Sequence, residues 1–368
     1  MIQLFIILIV LVLIYAVVFL TLIIFWNKKD AVQQKIEQAP VSIIIPFRNE
    51  EKNIRNCIDG ILNQNYNQQL IEIICVNDHS TDNSLTILSS YNNIRIISLS
   101  KDKSGKKAAL TDGIEASKNE LLIFRDADTS ADPNWLKSLL SKQAENDSDF
   151  LIAPVKYKTK HTFLGAIQIL EHLAVYFTGV AMAKFGKPIL CNGANLLVKK
   201  SAFYHVNGFT SHQFISSGDD IFLMISFIQT AKKVEYIHCL SASVLCETEN
   251  KIFSFLTQRI RWATKNKHNK NPYNFTIAFL VITVNFGLVL AGISALINSH
   301  YLNLFYWYSV IKLSIDSIIL TKSALHFKQL TMLCWLPVFF CVFPFEIIII
   351  LTLALFIQPK WKGRNISN

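Results

Sequence analysis

Val41-Ser-Ile-Ile-Ile-Pro-Phe-Arg-Asn-Glu50 begins as a short β-branched run and ends in polar residues. Three further runs have the same character: Ile71-Glu-Ile-Ile-Cys-Val76, Ile94-Arg-Ile-Ile97 and Leu121-Leu-Ile-Phe124. Helical patterns separate them at Glu51–Leu62, Asn83–Tyr91 and Lys106–Ser117. Strands that alternate with helices predict an α/β fold whose parallel sheet is covered on both faces.

In such open sheets a ligand sits beyond the carboxyl ends of the strands. The residues just after each run are strongly polar: Pro46-Phe-Arg-Asn-Glu50, Asn77-Asp-His-Ser-Thr-Asp82 and Arg125-Asp-Ala-Asp128. Neither a G-x-G-x-x-G nor a G-x-x-x-x-G-K-[ST] follows the first strand, which excludes a dinucleotide fingerprint and a P-loop. Asp126 and Asp128 flank a small residue directly after a buried strand. They suit a hard divalent cation that also binds diphosphate oxygens; turn or helix-cap residues are the other reading. Asp82 is placed to cap the helix starting at Asn83, leaving Asp78 free to meet a ligand.

Further on, Ser217-Gly-Asp-Asp-Ile-Phe-Leu223 sets two acids at the start of an apolar helical pattern. They are either favourable charges near a helix N-terminus or a general base that takes a proton from an attacking hydroxyl. In Gln258-Arg-Ile-Arg-Trp262, Gln258, Arg261 and Trp262 share a helical face. That face suits a phosphate-bearing ligand or acceptor, or else forms a structural Arg–Trp stack.

Composition adds a second object. Of 368 residues, 51% are hydrophobic and 17% charged, which points to a membrane protein. The 36 basic and 26 acidic side chains leave +10, a balance suited to anionic membrane or nucleic acid, and the apolar excess favours membrane. Seven scattered cysteines without a C-x-x-C pair indicate neither a disulfide framework nor a zinc site. Met1 to Asn27 carries no charge, and as helix it exceeds the roughly 30 Å hydrocarbon core. It lacks the basic start and cleavage site of a signal peptide, so a retained anchor is expected. Lys28 and Lys29 then place the following domain in the cytosol.

A late apolar region runs from Phe275 to Asn298, from Tyr301 to Thr321 with Lys312 and Asp316 inside, and from Thr331 to Ile357 with Pro337, Pro344 and Glu346 inside. The basic tail Lys360, Lys362 and Arg364 favours an even number of crossings there. Lys265, Lys267 and Lys270 read as juxtamembrane topology signals that also attract anionic lipid. Phe163–Phe185 is long and apolar but holds Gln168, Glu171 and His172. A span there would put D-A-D and G-D-D on opposite sides of the bilayer, so a half-buried or interfacial helix is expected. The resulting layout is an anchor at 1–27, a cytosolic catalytic domain at 31–270, membrane or interfacial helices at 275–358 and a basic tail at 359–368.

Seven motifs in order, from Val41 to Trp262, resemble the family-2 glycosyltransferases of the GT-A fold. They are P-F-R-N-E, V-N-D-H-S-T-D, G-K-K-A-A-L at Gly105–Leu110, D-A-D, C-N-G-A-N at Cys191–Asn195, G-D-D and Q-R-I-R-W. The membrane layout and the closing Trp361-Lys-Gly-Arg364 are similar to the ceramide-glucosyltransferase-like branch. Three residues depart from the family pattern: Asn77 and Asp219 replace a common Asp and Glu, and Arg125 stands where a neutral residue is usual. They read as substrate tuning.

The resemblance implies that Pro46, Phe47, Asn49, Glu50 and Asp78 hold the nucleoside of a nucleotide sugar, with uridine expected, and that Lys106 lies near its base or phosphates. Asp128 and Asp126 would bind Mg²⁺ or Mn²⁺. Asp220, with Asp219 beside it, would be catalytic. Asn192, Gly193 and Asn195 would line the sugar and acceptor side, while Gln258, Arg261 and Trp262 close over diphosphate and acceptor. The implied reaction is inverting transfer of one sugar to a hydroxyl of a membrane lipid or lipid-linked acceptor, at a bacterial inner membrane, with no nucleic acid partner. A processive polysaccharide synthase shares Q-x-x-R-W, and a non-catalytic scaffold on a transferase fold is the alternative of another class. A nucleotidyltransferase would have no use for the membrane segments.

Overall fold

A computed structural model describes residues 2–27, 38–210, 218–265, 269, 271–357, 360–361 and 364–365. Lys28, Lys29, Ser217, Lys267, Lys270 and Lys362, singled out above, lie outside the described residues, as do the side chains of Lys265, Lys360, Trp361 and Arg364. The chain begins with α1 (Ile2–Trp26). An alternating run follows: β1 (Val41–Phe47), α2 (Ile54–Leu62), β2 (Ile71–Asn77), α3 (Ser84–Leu88), β3 (Arg95–Ser98), α4 (Lys106–Ala116) and β4 (Leu121–Arg125). Then come β5 (Ser130–Ala131), α5 (Trp135–Asn146), β6 (Phe150–Ile152), β7 (Val155–Tyr157) and the long α6 (Phe163–Lys184). After β8 (Asn195–Lys199), α7 (Lys200–His205), α8 (Asp219–Gln229), β9 (Val234–Tyr236) and β10 (Val244–Cys246) the chain is mainly helical. It continues through α9 (Ile252–Lys265), α10 (Pro272–Ile297), α11 (Leu302–Phe327) and α12 (Leu336–Phe356) to the short strands β11 (Lys360–Trp361) and β12 (Arg364–Asn365).

Two compact units result. A helical unit gathers α1, α6 and α9 to α12, and an α/β unit gathers β1 to β10 with the remaining helices. Thus α6 and α9, inside the 31–270 stretch that the sequence assigns to one catalytic domain, group with the other long helices. Their apolar faces meet α1, α11 and α12.

The α/β unit is built on a seven-stranded sheet of order β3-β2-β1-β4-β8-β6-β9. β3, β2, β1 and β4 are mutually parallel, β8 runs antiparallel to β4 and β6, and β9 is parallel to β6. The sheet is therefore mixed and mostly parallel: the alternating pattern predicts the parallel β1 to β4, and the antiparallel β8 is an addition to it. A smaller sheet, β5-β10-β7, stands apart from it.

Both faces of β1 are buried, which explains its unbroken apolar run. Ile43 and Ile45 join Ile54, Ile58 and Ile61 of α2 and Trp135 and Leu139 of α5. Ile44 faces the other way, with Ala109, Leu110 and Ile114 of α4 and Leu223 and Phe227 of α8. Each such fully buried side chain contributes roughly 1.5–3 kcal/mol. Gly113 in α4 is a packing requirement, since a Cβ there would lie 2.5 Å from Ile44 Cγ2. A methyl group would push α4 off the sheet.

In the helical unit α1 is apolar on every face, and packing alone picks the inward one. Leu8, Val12, Tyr15, Phe19, Leu22 and Trp26 are buried, at alternating spacings of four and three, the seam of a coiled-coil helix. Ile6, Ile7, Val10, Ile14, Val17 and Ile24 stay exposed, an outward apolar surface of the kind lipid covers. The charges inside α11 are paired: Lys312 Nζ donates to Asp316 Oδ2 at 2.6 Å, and Tyr15 of α1 donates its hydroxyl to Asp316 Oδ1 at 2.6 Å. Five described helical segments are long and apolar enough to cross a membrane: 5–26, 163–184, 272–297, 299–327 and 330–356.

Candidate active site

The chain runs outward from β1 to β2 and β3, then returns to β4 on the other side of β1. β1 and β4 are thus the point where strand order reverses, the place beyond whose carboxyl ends open α/β sheets form a ligand crevice. Their pairing stops at Ile44↔Phe124, whereas β1 and β2 stay paired to Phe47↔Asn77. Pro46, which has no N–H, falls beyond the β4 ladder, where none is needed.

Pro46 and Phe47 end β1, and the loop after them holds Asn49 and Glu50. Asn49 adopts φ 53°, a left-handed conformation that Asn tolerates, and its Oδ1 accepts the Thr81 N–H at 2.8 Å. The Glu50 carbonyl accepts the N–H groups of Asn53 and Ile54, both at 2.9 Å, and so starts α2. Asp78 stands just after β2 but is buried, 2% exposed, where the sequence suggests a free side chain. Beside it, Arg48 Nη1 donates to the carbonyls of Asp78 and His79 at 2.8 and 3.2 Å, tying the β1 loop to the end of β2. Asp82 does hold the start of α3, accepting from the Ser84 N–H at 3.1 Å and from its hydroxyl at 2.6 Å.

Across the crevice, residues distant in sequence converge. Lys106, the first residue of α4, donates to Asp126 Oδ1 at 2.5 Å and to the Gly193 carbonyl at 3.3 Å. The Gly193 N–H donates to Asp220 Oδ2 at 2.9 Å, and Ile221 N–H donates to Asp220 Oδ1 at 2.9 Å. Asp219 and Asp220 form the first turn of α8 behind Gly218, whose φ of 89° requires glycine. Burial opposes the charge on Lys106, but Asp126, Asp219 and Asp220 outweigh it and hold the ammonium above its ordinary pKa. The group is a fixed cation throughout the neutral range.

Asp126 and Asp128 offer hard oxygens from one turn after β4. Among the described residues no cluster of three or more His, Cys, Asp or Glu forms a protein cage for a metal. Two such carboxylates fit Mg²⁺ or Mn²⁺, ions that take one or two carboxylates and complete their shell with substrate phosphate oxygens.

Asn192 and Gly193 lie just before β8. Asn192 Oδ1 accepts the Ala194 N–H at 3.0 Å. Asn195 corrects the expectation that it lines the sugar and acceptor side. It is fully buried, its Nδ2 donates to the carbonyls of Pro154 and Ala242 at 2.8 and 2.9 Å, and its Oδ1 accepts from Trp135 Nε1 at 3.0 Å. Its amide ties the two sheets together and has no face left for substrate.

Gln258, Arg261 and Trp262 lie on α9, in the helical unit. There Arg259, which the sequence reading passes over, organises the motif. It is 4% exposed, its Nε donates to Glu171 Oε2 of α6 at 2.6 Å, and its Nη1 donates to Gln258 Oε1 at 2.5 Å. Its guanidinium lies 4.3 Å from the Trp262 ring centroid. The available signal was Glu171, an acid inside an apolar helix that needs a partner.

Residues 42–206 match the family described as glycosyl transferase family 2. The chain is 35% identical over 120 residues to a poly(ribitol-phosphate) beta-glucosyltransferase of Bacillus spizizenii, covering 32% of this chain and 19% of that protein. It is 28% identical over 184 residues to glycosyltransferase AglE of Haloferax volcanii, covering 49% and 58%. The matches thus span well under two thirds of these relatives. In structure the chain is similar to mannosyltransferase PcManGT from Pyrobaculum calidifontis, solved in complex with GDP-Man and Mn²⁺. The TM-score is 0.62 at 16% identity, over 96% of this chain and 97% of that one. Over residues 42–206 the chain thus resembles glycosyl transferase family 2, and its sheet has a GT-A-like fold.

Proposed function

We propose that the chain transfers a single sugar, with inversion, from a nucleoside diphosphate sugar to a hydroxyl of a membrane lipid or lipid-linked acceptor. One observation carries this reading: Lys106, Asp126, Gly193 and Asp220, from four separate segments, meet in a hydrogen-bonded group at the β1/β4 crevice. A cation, a turn of two acids and an oriented carboxylate are the parts that such a displacement needs. The matched relatives are named as glycosyltransferases, and the structural neighbour was solved with a nucleotide sugar and Mn²⁺. The exposed apolar faces of the long helices support an acceptor that resides in lipid.

In this mechanism Asp220 takes the proton of the acceptor hydroxyl at its carboxylate, held in place by the N–H groups of Gly193 and Ile221. The acceptor oxygen forms its bond to the anomeric carbon as the bond from that carbon to the diphosphate breaks. Lys106 meets the diphosphate as a fixed cation. Asp126 and Asp128 would hold Mg²⁺ or Mn²⁺, which when bound neutralises charge on the leaving group. Pro46, Phe47, Asn49, Glu50 and Asp78 are assigned to the nucleoside, with uridine the first base to test, and Gln258, Arg261 and Trp262 to diphosphate and acceptor.

The test is an assay of detergent-solubilised protein with membrane lipid extract, MnCl₂ and labelled UDP- and GDP-sugars. One lipid-soluble product carrying one sugar supports the reading, and a ladder of products moves it to polymer synthesis.

A further inference from the structure

Arg125 ends β4 one residue before the D-A-D turn and is fully buried. It has no ion-pair partner among the described residues. Its Nε donates to Thr129 Oγ1 at 3.0 Å and its Nη2 to the Thr129 carbonyl at 3.1 Å. Nη1 has no hydrogen-bond partner, and the guanidinium lies 4.9 Å from the Trp135 ring centroid. Thr129, 2% exposed, donates its hydroxyl to the Asp126 carbonyl at 2.7 Å and its N–H to the same oxygen at 3.3 Å. Arg125 thus holds Thr129, and Thr129 in turn holds the Asp126 carbonyl, which closes the turn that carries Asp126 and Asp128.

A buried charge without a counter-charge is a poor way to gain stability, because an apolar side chain of similar volume serves as well or better. Lys106 approaches the same turn from α4, whereas Arg125 lies between Gly60 of α2 and Trp135 of α5. These helices cover opposite faces of the sheet. The two acids therefore sit between two cations, one that touches a carboxylate and one that fixes the backbone.

We infer that Arg125 is a positioning residue for donor binding: through Thr129 it sets the D-A-D turn in the geometry that receives a cation-bound diphosphate. The inference rests on the reading of that turn given under the proposed function. A fork is required, since Nε and Nη2 contact two different atoms of Thr129, and a lysine ammonium does not reproduce this.

The experiment uses the full-length, detergent-solubilised chain and the variants Arg125→Met, Arg125→Lys and Thr129→Val. Binding of UDP and GDP is titrated with MnCl₂, with free Mn²⁺ followed by electron paramagnetic resonance and unfolding followed by scanning fluorimetry. Removal of a partner that orients metal ligands costs about 10–100-fold in metal affinity. All three variants should therefore need about that much more Mn²⁺ for half-saturation, with melting temperatures close to that of the wild type. Wild-type Mn²⁺ dependence in Arg125→Met and Thr129→Val overturns the inference. So does an Arg125→Met chain that fails to fold while Thr129→Val binds normally, because Arg125 would then be purely structural. Absence of Mn²⁺-dependent nucleotide binding in the wild type instead removes the reading of the turn itself, together with what rests on it.

Discussion

At Gly193 the backbone passes so close to two charged groups that a side chain has little room. A Cβ there would lie 3.2 Å from Lys106 Nζ and 3.3 Å from Asp220 Cβ. Gly193→Ala should therefore displace Lys106 or Asp220 and lower transfer while the chain stays folded, as steady-state rates beside melting curves would show. Asp220→Asn keeps the shape and removes the basicity. General-base catalysis contributes about 10²–10⁴-fold, so turnover should fall by that much while nucleotide binding survives. A near-normal rate in Asp220→Asn takes the role of base away from this residue. In the sequence the strand-end acids stand out because each directly follows a buried strand, whereas Lys106 enters only through the motif resemblance. Asn195 was misread, since a motif gives a position and not the direction of a side chain. Arg125 and Arg259 were undervalued because their partners, Thr129 and Glu171, gain meaning only through folding.

Among the elements, the four strands and three helices of the opening α/β run were legible to within a few residues, because each strand is a short apolar run bounded by polar residues. The long helices were harder. α1 and α10 are apolar on all sides, so periodicity shows no inward face, and tertiary packing alone selects it. α6 is mostly buried, yet both its flanks, β7 and β8, belong to the α/β unit. A chain that leaves and re-enters one unit through a single helix gains nothing from crossing the bilayer, which favours a helix lying along the interface. Its Glu171 is tied to Arg259 of α9, a pair with little exposure. Removing one partner of a buried pair strands the other charge at a cost of about 3–5 kcal/mol. Glu171→Ala should lower the melting temperature by several degrees and loosen Gln258, and an unchanged melting curve would show that the pair holds nothing in place.

For the whole molecule, the proposed function assigns the positive balance to ends that would meet lipid and to a site that would meet phosphate. In the helical unit α1 and α11 run in the same direction, for Tyr15 meets Asp316 and Asn27 Oδ1 accepts from Lys322 at 2.9 Å. If Trp26 ends α1 on the cytosolic side, α11 ends there too, and α10 with α11 supplies two crossings. An even number of C-terminal crossings would then leave α12, which carries Pro344 and the buried Glu346, on that side. Single cysteines at Lys101 and Asn368 in a cysteine-free background should both react with an impermeant maleimide in inside-out vesicles and neither in intact spheroplasts. Labelling of the two on opposite sides would require a third C-terminal crossing. The central claim, that the β1/β4 crevice houses a sugar transfer to lipid, meets its most direct test in one assay. Wild-type, Asp128→Ala and Asp220→Asn proteins are incubated with labelled UDP- and GDP-sugars, MnCl₂ and membrane lipid, and the lipid phase is resolved by mass spectrometry. The prediction is a single monoglycosylated lipid of inverted anomeric configuration with the wild type, lost with both variants. Transfer that persists in both variants, or its absence from the wild type with every donor, would contradict it.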